Sequence, residues 1–125
     1  MGFFSKSKPV ATLPWVNVES VEQLNDILLS DSEKPKLLFK HSTRCGISSM
    51  VLRSFEGAWS SGNELCELYF IDLLRHRDVS NSVAELTGII HQSPQAIVIK
   101  GKEIIYDATH SGIDGRKIES ILKKG

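Results

Sequence analysis

Leu37-Leu38-Phe39-Lys40-His41-Ser42-Thr43-Arg44-Cys45-Gly46-Ile47-Ser48 is the stretch that decides the fold. Its apolar opening reads as the start of a buried strand, and the polar run His41–Arg44 reads as a turn. Beyond the turn, Ile47, Met50, Val51, Phe55, Ala58 and Trp59 recur at helical spacing and are expected to form one inner face. A strand therefore passes directly into an amphipathic helix, and Cys45 stands at the hand-over.

Working outward, Trp15–Val18 alternates as a short strand. Ser20-Val21-Glu22-Gln23 is a capping box in which Gln23 is expected to reach back to the Ser20 amide. Val21, Leu24, Ile27 and Leu28 then mark a helix face that ends near Ser30, and Lys34-Pro35 punctuates. On the other side, Ser60–Asn63 should stop the second helix, and Leu65–Ile71 reads as a strand with Cys66 inside it. Asp78 is expected to cap a third helix with Val79, Val83 and Leu86 inward and Gly88 as its left-handed stop. Ala96–Ile99 and Ile104–Tyr106 flank the tight turn Lys100-Gly101-Lys102, and Asp114 caps a last helix through Ile118, Ile121 and Leu122. The order is β-α-β-α-β-α-β-β-α. Strand–helix–strand units require parallel pairing and the hairpin antiparallel pairing, so the fold class is α/β with a mixed central sheet flanked by helices. This is the order of the thioredoxin-like fold.

Length and charge narrow the function classes. With 125 residues the chain fits one domain, expected over 14–125, behind a mobile arm over 1–13 that carries Lys6, Lys8 and Pro9. Fifteen basic against fifteen acidic residues remove the electrostatic footprint of a nucleic-acid binder or a polybasic membrane surface. No run approaches the ~18 apolar residues of a membrane span, and the start lacks a signal-peptide core. Two cysteines cannot build a disulfide framework. The reading is an intracellular domain that engages neither nucleic acid nor membrane.

Cys45 carries the chemistry. At a helix start, unpartnered amides and the macrodipole favour a thiolate over a thiol. From Lys34 to Phe55 there are five basic residues (Lys34, Lys36, Lys40, Arg44 and Arg53) and no acid. Arg44, adjacent to the cysteine, is the leading candidate for thiolate support. Dithiol oxidoreductases of this fold place a resolving cysteine three residues on. Here Ser48 holds that place, so an adduct on Cys45 must be released by another thiol. Ser48 also reads as a helix-start residue bonding a free amide. Cys66, in an apolar strand, reads as structural. His41, Cys45 and Cys66 lack paired ligand spacing, so no metal site is expected. In thioredoxin-like folds the proline at the place of Pro94 is cis and faces the cysteine, exposing the backbone of the residue before it, here Ser93.

Four segments together, His41–Ser48, Arg77–Asn81, His91–Gln95 and Thr109-His110-Ser111, resemble the monothiol bacilliredoxins of the YtxJ type over roughly residues 18–124. The resemblance implies a cytoplasmic thiol–disulfide oxidoreductase with no bound cofactor and with bacillithiol as co-substrate. Its partners would be bacillithiolated proteins and either bacillithiol or a partner reductase. Cys45 would be the nucleophile, Ser93 and Pro94 would shape the docking groove, and Arg44 would draw in the anionic thiol. His110 and Arg116 are further candidate contacts. Gly46 departs from the proline that the family commonly carries, which loosens the turn at the thiol. Two other readings stay open. Cys45-Gly46-Ile47-Ser48 is one residue from the Cys-Gly-Phe-Ser motif of monothiol glutaredoxins, which handle glutathione adducts or an iron–sulfur cluster. A non-catalytic binding module could use the same groove.

Overall fold

The computed structural model describes residues 13–30, 33–42, 44–59 and 64–124. Its elements are β1 (Val16–Asn17), α1 (Val21–Leu29), β2 (Lys36–His41), α2 (Gly46–Ala58), β3 (Glu67–Asp72), α3 (Arg77–Thr87), β4 (Gln95–Lys100), β5 (Glu103–Thr109) and α4 (Gly115–Lys124). A short 3-10 turn, His110–Gly112, is added between β5 and α4. The expected stop at Ser60–Asn63 and residues 1–12 of the expected arm lie outside the described residues. Leu13 packs against the core.

Five strands form one sheet in the order β1-β3-β2-β4-β5. β2 pairs in parallel with β3, Lys36 facing Glu67 and His41 facing Asp72. It pairs antiparallel with β4, Lys40 facing Gln95, and β4 continues antiparallel into β5. The thioredoxin-like architecture expected from the sequence is the one observed. No helix among the described residues is long and apolar enough to cross a membrane.

Alternation along β2 divides the core. Leu37 and Phe39 point to a layer built by Phe55, Trp59, Ile118 and Leu122 of the α2–α4 side. Leu38 points to the opposite layer, with Leu24, Val79 and Val83 from α1 and α3. Each such side chain taken out of water contributes about 1.5–3 kcal/mol. Phe39 sits at the centre of an aromatic cluster, 5.7 Å from Trp15, 5.6 Å from Phe55 and 6.4 Å from Phe70 between ring centroids. Gly115 lets α4 approach α2: a Cβ there would come within 3.0 Å of the Phe55 carbonyl oxygen. Turns close as the sequence predicts, with Gly88 and Gly101 at φ 75° and 63°.

Local departures have local causes. Gln23 accepts from the Glu19 amide at 2.8 Å, not from Ser20, while its own amide reaches Ser20 Oγ at 3.0 Å. Helix α3 starts two residues earlier than the Asp78 cap implies, with His76 as N-cap, and Asp78 accepts instead from the Val79 amide at 2.9 Å. Leu86, expected inside, is 55% exposed, because α3 buries Val79, Ser80 and Val83. In α2 the inner stripe runs through Ser48 and Phe55, so Ile47 and Met50, expected inward, are 56% and 59% exposed.

Candidate active site

β2 delivers the chain to the end of the sheet, and Cys45 caps the first turn of α2 in extended backbone conformation, φ −99° and ψ 118°. The thiol residue is half-buried. Its amide donates to the Ser42 carbonyl and its carbonyl accepts from Ser49, which fixes the turn on both sides of the sulfur. Arg44 is exposed beside it, and Gly46 begins the helix with open space around its α-carbon.

Ser48 is fully buried. Its hydroxyl lies 2.7 Å from His41 Nδ1 and accepts from the Ser42 amide at 3.2 Å. Ser48 thus bonds a free amide, as the sequence suggests, and that amide belongs to the turn before the helix. The His41 ring lies 5.4 Å from Phe70 in a tilted arrangement, and burial lowers its pKa below the ordinary histidine value, against opposing pulls from Asp72 and Glu56. The His41 imidazole thus ties the end of β2 to the first turn of α2.

The register of β4 on β2 brings the third element to the same end. Gln95 faces Lys40, so the residues just before Gln95 lie beside the turn that follows Lys40. Ser93–Pro94 is cis, as the sequence reading expects. The Pro94 carbonyl accepts from the His110 amide at 3.1 Å, and His110 holds a left-handed φ of 52°. Cys45, the cis proline and His110 converge on one end of the sheet.

Not every candidate joins them. Arg116 lines a cleft with Ser54, Gly57 and Ala58, at the other end of α2 from Cys45. Of the five basic residues expected to surround the thiol, Lys36 and Lys40 are only 2% and 1% exposed and do not form a solvated basic surface. Cys66 precedes β3 instead of lying within it. It is buried, its thiol donates to the Glu67 carbonyl at 3.4 Å, and burial, with the Glu67 charge, pushes its pKa up to about 12. It sits at the start of the six-residue strand pair that Cys45 follows. At ~3.3 Å per residue, roughly 17 Å of sheet separates the two, far beyond disulfide reach. For the same reason His41, Cys45 and Cys66 do not assemble into one ligand set.

One group of side chains escapes the sequence reading. Lys40 Nζ lies 3.1 Å from His91 Nδ1, which Ser80 Oγ also approaches to 3.1 Å. Gln95 donates to the Ile90 carbonyl at 3.0 Å, so two neighbouring strands grip the loop leading to Pro94 from beneath. Desolvation lowers the Lys40 pKa to about 8. The signal available in the sequence was a lysine that directly follows the apolar run Leu37-Leu38-Phe39 of a central strand.

Comparisons with known proteins agree with this geometry. A thioredoxin-fold protein assigned to the oxidoreductases superposes with a TM-score of 0.72 at 23% identity, covering 86% of this chain and 92% of that one. Thioredoxin from Malassezia sympodialis (Mala s 13) gives 0.64 at 18% identity, covering 92% and 96%. Schistosoma mansoni thioredoxin gives 0.65 at 18%, covering 88% and 94%. These likenesses establish the fold. The family model for monothiol bacilliredoxin BrxC matches residues 16–118. A half-buried cysteine at a helix start, a serine three residues on and a cis proline at the same end of the sheet thus belong to a member of the monothiol bacilliredoxin BrxC family, a thiol redox protein on the thioredoxin fold.

Proposed function

We propose that this protein removes bacillithiol from protein mixed disulfides through Cys45, using one cysteine. The observation that carries the reading is the contrast between position 45, a thiol residue half-open at a helix start, and position 48, an alcohol fully buried against His41. Membership of the bacilliredoxin family supports the choice of thiol.

The Cys45 thiolate attacks the bacillithiol sulfur of the modified protein. The mixed disulfide breaks, the protein's own thiolate leaves, and a disulfide forms between Cys45 and bacillithiol. Ser48 cannot displace it, since a hydroxyl is too weak a nucleophile. A second bacillithiol thiolate attacks the bacillithiol sulfur on Cys45, giving bacillithiol disulfide and the free Cys45 thiolate; a partner reductase can supply the same two electrons. Arg44 steers the anionic thiol to the turn, and Ser93–Pro94 forms the wall against which the substrate lies. The cytoplasm, where thiols are kept reduced, is the compartment this chemistry suits.

Intact-mass analysis tests the reading. Wild type and Cys45→Ser are exposed to one carrier protein bearing bacillithiol, glutathione or coenzyme A in disulfide linkage. The expected result is a bacillithiol adduct on wild type alone, formed faster than the other two. An adduct on Cys45→Ser, or preference for glutathione or coenzyme A, overturns it.

A further inference from the structure

Lys40 is the least expected side chain in the molecule: an amine only 1% exposed, at the centre of the sheet. Burying an ammonium is costly unless its hydrogen bonds are met, and desolvation is what depresses the Lys40 pKa. Its partner is His91, in the loop that runs into Ser93–Pro94. An ammonium only donates, so Nδ1 of His91 must accept, and the ring proton is placed on Nε2. Ser80 Oγ shares Nδ1 from the α3 side. Nε2 makes no hydrogen bond among the described residues and, in a half-buried ring, is left as a polarised N–H donor.

Two cations act on the His91 ring. Lys40 and Arg77 both oppose protonation of His91, reinforcing the effect of burial. Arg77 is exposed at the first residue of α3, one helical turn before Ser80, which contacts His91, and the neighbouring Asp78 carboxylate accepts from the Val79 amide. Two residues beyond His91, Ser93 Oγ is buried with no hydrogen bond among the described residues. The loop at the cysteine end of the sheet thus offers polar groups whose partners the protein does not itself provide.

We propose that His91 and Arg77 form a subsite for the carboxylate of the low-molecular-weight thiol, and that Lys40 is the positioning residue that fixes the His91 tautomer. This rests on the bacillithiol reading above and deepens it by naming what selects an anionic thiol over an uncharged one. The subsite serves binding and takes no part in bond making.

The test is single-turnover transfer onto Cys45 of the full chain, from one carrier protein bearing either bacillithiol or uncharged 2-mercaptoethanol in disulfide linkage. His91→Phe should raise the half-saturating concentration about tenfold for the bacillithiol adduct, as expected for one charge-assisted hydrogen bond, with a far smaller change for the uncharged adduct. His91→Gln, which keeps an N–H near the Nε2 position, should recover most of the loss. Lys40→Met should raise the same half-saturation, shift the ring 15N resonances of His91 away from the Nε2–H tautomer, and leave the thermal midpoint at or above that of wild type. Equal losses on both adducts, no loss on either, or an unchanged His91 tautomer in Lys40→Met overturns the subsite. Failure of both adducts to transfer to wild-type Cys45 overturns the underlying exchange reading instead.

Discussion

Cys45 and Cys66 lie at opposite ends of one parallel strand pair, and nearly everything about them differs. The first follows β2 into a turn, half-open, with polar groups and a cis proline beside it. The second precedes β3, buried in the core cluster that also holds Leu37, Phe39, Trp59 and Leu68, with its pKa raised to about 12. The carboxyl ends of β2 and β3 lead to turns and helix starts, where backbone amides are unpaired. Their amino ends lie under the core. Sulfur reactivity here is a property of address, not of residue type.

The sharpest way to break this contrast is to exchange the roles. Cys45→Ser should reduce thiol exchange to background, whereas Cys66→Ala should leave the rate within about twofold and cost about 1–3 kcal/mol of stability through its cavity. Alkylation mass spectrometry on the native protein should find one label, on Cys45, and a second only after unfolding. Labelling of native Cys66 at neutral pH contradicts the assignment.

Next in size is Ser48. Ser48→Ala leaves His41 Nδ1 and the Ser42 amide without their shared partner, at a cost of about 1–3 kcal/mol measured by denaturant unfolding. A neutral result would detach Ser48 from the architecture of the cysteine end.

The two ends should also titrate in opposite senses. The folded state holds His41 below its ordinary pKa of 6.5, so below that pH the unfolded chain takes up a proton the folded chain resists. Stability should fall as pH drops, by at most about 1.4 kcal/mol per pH unit, and His41→Phe should flatten this limb. Cys66 runs the other way. Its thiol is held protonated above its ordinary 9.0, so the unfolded chain loses a proton first, and stability should fall as pH climbs from about 9 toward 12. The difference between wild type and Cys66→Ala isolates that limb.

Arg44 should matter least. It is exposed, so Arg44→Ala is expected to slow reaction with anionic thiols by less than about fivefold, an effect that vanishes at high salt.

The fold was legible because hydrophobic period and punctuation agree along most of the chain. Gly88, Gly101 and Asp114 each do in the structure what their sequence context implies. The cysteine and the serine three places on were legible because they stand at a strand–helix boundary, and the cis proline because the fold, once read, prescribes it at the place of Pro94. What periodicity could not resolve was helix phase at an end of the sheet. There the first turn of α2 leaves Ile47 and Met50 in solvent, while Ser48, a polar residue, takes the inner position. The buried pair Lys40 and Gln95 was hidden because a lysine in a strand reads as a solvated charge. Only the pairing of β2 with β4, a long-range fact, reveals that both side chains serve the loop before Pro94.

Gly46 carries a consequence of its own. A methyl-sized atom on its α-carbon would meet nothing within 4 Å, and Cys45 already has the extended φ and ψ that a following proline demands. Position 46 is the first helical residue, where proline is at home. Gly46→Pro should therefore be accepted without rearrangement and raise stability by about 0.4–1 kcal/mol through the unfolded chain. The stiffness of the turn that holds the sulfur is thus a variable that evolution can reset with a single residue, independently of the scaffold that supports it.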